Sequence, residues 1–437
     1  MARPDRARLA GALSVLALSH AAASQAPLTL EAAVDRARAR NERVLSAART
    51  ADAAEADVAR ARAFFFPTLS VGGAYVHRSY ESTREVGGET VVLSRRDALS
   101  AAATATQVLL DMRAVPLWRQ SRSNRDAAAL EAVDASLLVG FDTGAAFLTA
   151  LGLTEAAAAA DRRLEVASAS LRDATARFDA QIASSNDVTR AQLEVASAER
   201  ERTRAVNAVA EARLNLGYLL DEALEGALAT PEPLLDPERE EAGPAEGLVA
   251  EAVSRRVDLA AQRKRVEALR FYAKEPMNRY VPALTARGDV RTTNDAGLSG
   301  RDTVGTFSLD LSWSLFDGLA RHAEKAERTA QADAAELLLR AAERQVDLDV
   351  RRALVAIGNA RAGIRQARVA ADVARRNAEE TAELYRQGLA TAFALADANV
   401  RLFEAEVALV RERIGLGLAR LDLRAATGLD PLGKEVP

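Results

Sequence analysis

The chain has 437 residues, enough for two or three ordinary domains, yet only 4% are aromatic, which excludes a large conventional core. The hydrophobic share is 49% and Ala dominates it, a composition that favours helix and lets helix backbones approach along narrow seams. A net charge of -4 gives no footing for nucleic acid, and the absence of cysteine excludes disulfides, thiolate metal sites, a cysteine nucleophile and a lipid-bearing cysteine.

Residues 1–24 read as an export signal. Arg3, Arg6 and Arg8 form a basic start, Leu9 to Leu18 an apolar middle, and Ala21, Ala22 and Ala23 a small-residue cleavage region, with an amphipathic first helix as the alternative. Beyond it no run of about 18 uncharged apolar residues occurs; the best, Leu137 to Leu153, is interrupted by Asp142. A membrane would have to be entered through strands.

A first unit spans residues 25–225. Leu28 to Arg62 reads as one helix, with Thr29 as a candidate N-cap, stopped by Phe64, Phe65, Phe66 and Pro67. Pro67 pushes its predecessor towards extended geometry and leads into a strand over about 68–77. The three Phe suit an aromatic girdle at a lipid boundary, or a small local cluster. Ser79 to Asp97, with Gly87 and Gly88, reads as a polar loop before a return strand over about 99–110. A helical hairpin follows over about 113–220, broken around Ala183 to Asn186; its first arm would be roughly 100 Å long at 1.5 Å per residue.

Residues 226–247 form a Pro-rich equatorial linker with Pro231, Pro233, Pro237 and Pro244. The same plan then runs again over 248–430, leaving a short tail, 431–437. Leu248 to Lys274 is the short helix, and Tyr280 to Leu284 repeats Phe65 to Leu69 at a shift of 215. Strands are expected over about 284–291 and 306–316, and a second helical hairpin over about 319–427. Phe178, Ile182, Ala191 and Arg213 meet Tyr385, Leu389, Ala398 and Arg420 at a shift of 207, so the chain is a tandem repeat of helix, β-hairpin and long helical hairpin.

The stretch Phe307 to Asp317 alternates most cleanly. Phe307, Leu309, Leu311, Trp313 and Leu315 share one face, and Ser308, Asp310, Ser312 and Ser314 the other. Either the apolar face lies on a soluble core or it meets lipid while the polar face lines water. Long Ala-rich helices offer little core to enter, which favours lipid. The helices carry narrow heptad stripes: Val346, Val350, Ala353, Ile357, Ala360, Ile364, Ala367, Ala371, Ala374 and Ala378, and on the return arm Val400, Phe403, Val407, Val410 and Ile414. Four strands cannot close a barrel, since open edges leave backbone groups unpaired in lipid. Two copies would enclose a lumen filled by side chains, so three copies and twelve strands are expected.

This order of elements resembles the TolC-like outer-membrane efflux protein family over essentially the whole mature chain. Local matches are Leu315 to Gly318 (LFDG), Tyr385 to Thr391 (YRQGLAT), and PTL and PAL from Pro67 and Pro282. The resemblance implies a mostly α chain with a membrane β-barrel part: a homotrimer with a twelve-stranded barrel in the outer membrane of a Gram-negative bacterium and an α-helical periplasmic tunnel. It also implies a periplasmic adaptor (membrane fusion protein), an inner-membrane efflux pump or transporter, and export of small molecules or polypeptides as a passive duct. No catalytic residue, cofactor, metal or nucleic-acid partner is expected, and the three histidines, His20, His77 and His322, have no ligand spacing. A soluble periplasmic coiled-coil scaffold is the alternative.

By the same resemblance, Asp187, Asn186, Tyr385 and Asp397 fall at the channel constriction, with Asp187 and Tyr385 on a hydrogen-bonding pair and Asp397 on an acidic ring. Gln181, Ile182, Gly388, Leu389 and Thr391 form the adaptor-facing tip. Phe307, Leu309, Leu311, Trp313 and Leu315 face lipid. The chain departs from the pattern at Ala394, where a second acidic ring is expected, at Ala390, where a locking Arg is expected, and at Gln181, which replaces a glycine. Asp187 as a helix cap and Asp397 on a solvated face are the local alternatives.

Overall fold

The computed structural model describes residues 27–239, 243–297 and 300–436. The expected export signal, 1–24, lies outside the described residues. The first half runs α1 (Leu30–Arg40), α2 (Glu42–Ala63), β1 (Thr68–His77), β2 (Ser82–Val86), β3 (Glu89–Ser94), β4 (Asp97–Leu110), α3 (Ala114–Asp179) and α4 (Ser185–Leu220). A single turn, α5 (Glu232–Leu235), leads to the second half: α6 (Ala245–Arg255), α7 (Val257–Tyr272), α8 (Glu275–Asn278), β5 (Ala283–Thr293), β6 (Thr303–Ser312), α9 (Ala320–Arg386) and α10 (Ala392–Ala426). The chain is mostly helical, with a four-stranded antiparallel sheet in the order β1-β4-β5-β6.

The helices stand in the same order as the strands. α3 packs α2 and α4 along one flank and α7 and α10 along the other, and α9 packs α7 and α10 in turn. Charges mark both flanks of α3: Arg125 meets Glu55 of α2 and Arg163 meets Glu194 of α4, while Glu131 meets Arg265 of α7 and Glu155 meets Arg413 of α10. The chain is therefore a wall four columns wide, capped by a sheet four strands wide.

Packing explains the long helices. The heptad residues Val346, Val350, Ala353, Ile357, Ala360, Ile364, Ala371 and Ala378 are buried, and the first six meet Leu416, Ala419 and Leu423 of α10 in one core. A second core joins Leu30 and Val34 of α1 to Phe147, Leu148 and Leu151 of α3 and Leu421 of α10. Gly152 lets α10 come close: a Cβ there would stand 2.6 Å from Ile414 Cγ1. α3 contains an 18-residue window apolar enough to cross a membrane, but 56% of that window is buried inside the protein. Its apolar character is accounted for by these cores.

Several sequence expectations are corrected. Leu28 to Arg62 is two helices, because Asn41 takes an extended conformation (ψ 129°), accepts from Arg43 N at 3.0 Å and donates to the Leu219 carbonyl at 3.2 Å. Arg256, also extended (ψ 118°) but with no side-chain cap, splits the helix expected over Leu248 to Lys274. The loop Ser79 to Asp97 holds the β2–β3 hairpin, whose turn is Gly87-Gly88 with φ of +67° and +87°, the left-handed pair that a two-residue hairpin turn requires. The strand expected to reach Phe316 ends at Ser312. Beyond it Trp313 Nε1 donates to the Tyr280 carbonyl at 3.0 Å, and the Ser314 carbonyl accepts from buried Arg321 at 2.9 Å, so the backbone leaves the ladder to clamp the sheet onto α9.

Candidate functional site

Two regions collect the sequence-derived candidates. The first is the sheet, where the register fixes the faces. Leu311 stands opposite Leu284, Leu309 opposite Ala286 and Phe307 opposite Gly288; the same face continues through Val290, Ala103 and Val71 to the far edge. Leu69, Val71, Tyr75, Leu99, Val290, Phe307, Leu309 and Leu311 are all exposed, so none of the described residues lies over this apolar surface. On the opposite face Thr285 pairs with Asp310, Arg287 with Ser308 and Thr106, and Asp289 with Thr306 and Thr104. Trp313 and Leu315 lie past the ladder and are exposed too.

The second is the tip, where both helical hairpins turn. The two turns use one hydrogen-bond pattern: Ile182 N donates to the Arg177 carbonyl at 2.9 Å, and Leu389 N to the Leu384 carbonyl at 2.8 Å. Each passes through a left-handed residue, Gln181 (φ +60°) and Gly388 (φ +77°). Ile182 and Leu389 project into solvent, 77% and 73% exposed, an outlay of apolar surface at the farthest point from the sheet. Thr391 caps α10, accepting from Ala394 N at 3.2 Å.

Asp187 closes a capping box with Ser184. Its Oδ2 accepts from Ser184 Oγ at 2.9 Å and Ser184 N at 3.1 Å, while its own N–H donates to Ser184 Oγ. Asn186 is exposed beside it. Tyr385 is buried, and among the described residues no hydrogen bond joins its hydroxyl to Asp187. Burial raises the phenol's pKa, with the Asp173 and Asp187 charges adding to it and Arg177 opposing. Asp397 is half-exposed and pairs with Arg401 at 2.9 Å.

Sequence reading missed the residue that joins the hairpins. Arg177, near the end of α3, lies 4.6 Å over the Tyr385 ring and donates to the carbonyls of Tyr385 at 3.0 Å and Arg386 at 3.2 Å; Asp173 holds its Nε at 3.0 Å. It thereby fills the unpaired carbonyl end of α9 with positive charge. Two more arginines of the first hairpin reach aromatics of the second: Arg190 lies 5.7 Å over Phe393 and Arg163 5.2 Å over Phe403. Between the helices a cavity of about 30 Å³, lined by Tyr385, Ser170 and Asn399, has room for roughly one water. The only signal in the sequence was an unmatched one, for Leu384 stands where the repeat would place a second Arg177.

Among the described residues no group of three or more His, Cys, Asp or Glu side chains is placed to hold a metal.

Residues 248–429 match the family model described as outer membrane efflux protein. No curated protein sequence matches the chain. Its fold is that of solved outer-membrane channels. A membrane protein from Pseudomonas aeruginosa superposes with a TM-score of 0.78 at 20% identity, covering 92% of this chain and 90% of that one. The outer membrane protein VceC from Vibrio cholerae gives 0.75 at 16%, covering 92% and 96%. The CmeC outer membrane channel from Campylobacter jejuni gives 0.79 at 15%, covering 93% and 87%.

Proposed function

We propose that this chain, an outer-membrane protein with a periplasmic helical part whose residues 248–429 belong to the outer membrane efflux protein family, is one of three copies forming a passive export duct. The observation that carries the reading is the sheet: among the described residues one face is apolar and bare across all four strands, the other is polar and charged, and both edges are unpaired. Unpaired ladder groups in hydrocarbon cost several kcal/mol each, so β1 and β6 demand partners. Each edge strand is ten residues long, and because all neighbours are antiparallel, β6 of one copy meets β1 of the next in antiparallel sense. Three copies give twelve strands above twelve helical columns.

In this reading the wall of helices continues the barrel as a periplasmic tunnel, and the hairpin ends carrying Tyr385, Asp187, Asn186 and Asp397 form its constriction. The exposed tip residues Gln181, Ile182, Gly388, Leu389 and Thr391 meet a periplasmic adaptor, which couples the duct to an inner-membrane pump. Small molecules or polypeptides delivered by the pump pass through without chemical change. A dissolved scaffold would leave the apolar sheet face in water, for none of the described residues covers it.

The test is fractionation and bilayer recording of the full-length protein. It should sediment with outer membranes, run as a detergent-stable trimer before heating, and form discrete channels in a planar bilayer. Recovery as a soluble monomer would overturn the reading.

A further inference from the structure

Where α7 stacks on the end of α10, a cavity of about 470 Å³ opens between α3 and α9. Leu137 and Phe141 of α3, Ala353 and Ala356 of α9 and Leu429 give it apolar walls. Its charge does not balance: the carboxylates Asp134, Asp258, Asp349 and Asp422 face two guanidiniums, Arg256 and Arg352. Arg256 is already taken, 2.8 Å from Asp258 and 3.3 Å from Asp349. Asp134 and Asp422 have no hydrogen bond or ion pair among the described residues; partial burial pushes both carboxyls above the usual range, the Asp258 charge adding to this at Asp134 and the Arg256 charge opposing it, while Asp422 remains solvent-exposed. Arg352 is exposed and pairs with neither.

The cavity has a definite side. On α9, Leu354 packs into the core that α6 joins and Arg351 reaches Glu246 of α6 at 3.4 Å, while Asp349, Arg352 and Ala356 occupy the other flank. It therefore opens on the face of the wall turned away from α6. Three copies of α1, α6 and the C-terminal tail inside a ring would obstruct it, so in the proposed duct that open face is the lumen.

We propose that this cavity is a binding site on the duct wall for an amphipathic amine, a cation carrying an apolar body, resting on the channel reading above for its access from the lumen. The volume lies in the range of small-molecule pockets, about 300–1,000 Å³. The apolar body would cover Leu137, Phe141, Ala353 and Leu429, and the cation would sit between Asp134 and Asp422, adding positive charge to a lining in which carboxylates outnumber guanidiniums. An anionic ligand of the same shape would meet two uncompensated carboxylates and be rejected. The site would hold cargo weakly in transit, as a passage must.

Equilibrium binding of rhodamine 6G to the purified full-length oligomer, with empty detergent micelles subtracted, tests this. Saturable binding near one dye per chain is expected. Asp134→Asn with Asp422→Asn should weaken it by about tenfold or more, since both charged contacts are lost. Leu137→Trp, which fills the cavity and leaves the charges in place, should abolish it. A carboxylate-bearing fluorescein of similar size should bind at least about tenfold more weakly than rhodamine 6G. Unchanged dye affinity in the double variant and in Leu137→Trp, or equal affinity for both dyes, overturns the site. Planar-bilayer conductance of the same preparation separates the two readings: channels without dye binding sink the site alone, and dye binding without channels sinks the duct.

Discussion

The guanidinium of Arg177 stacks over the Tyr385 ring and donates to that residue's own carbonyl, so one side chain grips the end of α9 by face and backbone together. Bonds to a charged donor are worth about 1.5–3 kcal/mol and a partly buried cation–π contact about 0.5–2 kcal/mol. Arg177→Ala should release the tip and raise resting conductance in planar bilayers, with faster hydrogen exchange at Gln387 and Gly388. Arg177→Lys, which keeps a point charge but loses the planar fork, should fall between; unchanged conductance in both variants would remove Arg177 from the closure.

The turns at Gln181 and Gly388 adopt the same left-handed geometry, and only one has the residue suited to it. A side chain in that region costs roughly 1–2 kcal/mol, while glycine gains back chain entropy worth about 0.4–1 kcal/mol when unfolded. Gln181→Gly should therefore stabilise its turn slightly and Gly388→Ala destabilise its own by about 1 kcal/mol. Hydrogen exchange at Ile182 and Leu389, whose amides close the two turns, reads both effects.

Leu311 and Ser308 sit on the same strand and point to opposite faces. Arginine on a lipid face at mid-membrane costs about 2–4 kcal/mol per copy, and far less on a water-lined face. Leu311→Arg should abolish outer-membrane assembly in fractionation and Ser308→Arg should not. The reverse order would turn the sheet inside out.

Asp397 shares its charge with Arg401, so a ring of three would present less negative charge than three bare carboxylates. Arg401→Ala should strengthen cation selectivity in single-channel recordings, and Asp397→Ala should weaken it. Identical reversal potentials in all three proteins would place this pair on a solvated outer face.

The repeat and its seams were legible because they rest on local periodicity: Val346, Val350 and Ile357 declare a buried stripe by spacing alone. The breaks at Asn41 and Arg256 were not. Asn41 is an ordinary polar residue until the Leu219 carbonyl, brought from 178 positions away, takes its amide. The β2–β3 hairpin was readable from Gly87-Gly88 between alternating residues, but the polarity of the segment masked it. At the tip, Asp187 lies near enough to Tyr385 for its charge to act on the phenol, while its carboxylate caps α4 through Ser184, three residues away, the local alternative that the sequence also offered. Arg177 could not be found by matching halves, since the contact it makes exists once per chain.

The wall described here has two unlike borders, β1 with α2 and α4 on one side and β6 with α9 on the other. In the proposed duct, copies would join head to tail, β6 of one against β1 of the next, and the number of subunits would be set by the angle at which each meets the next. A substitution that opens that angle would not yield a stable pair. It would leave an unsealed arc with a bare strand at each end, available for recruiting further chains without limit.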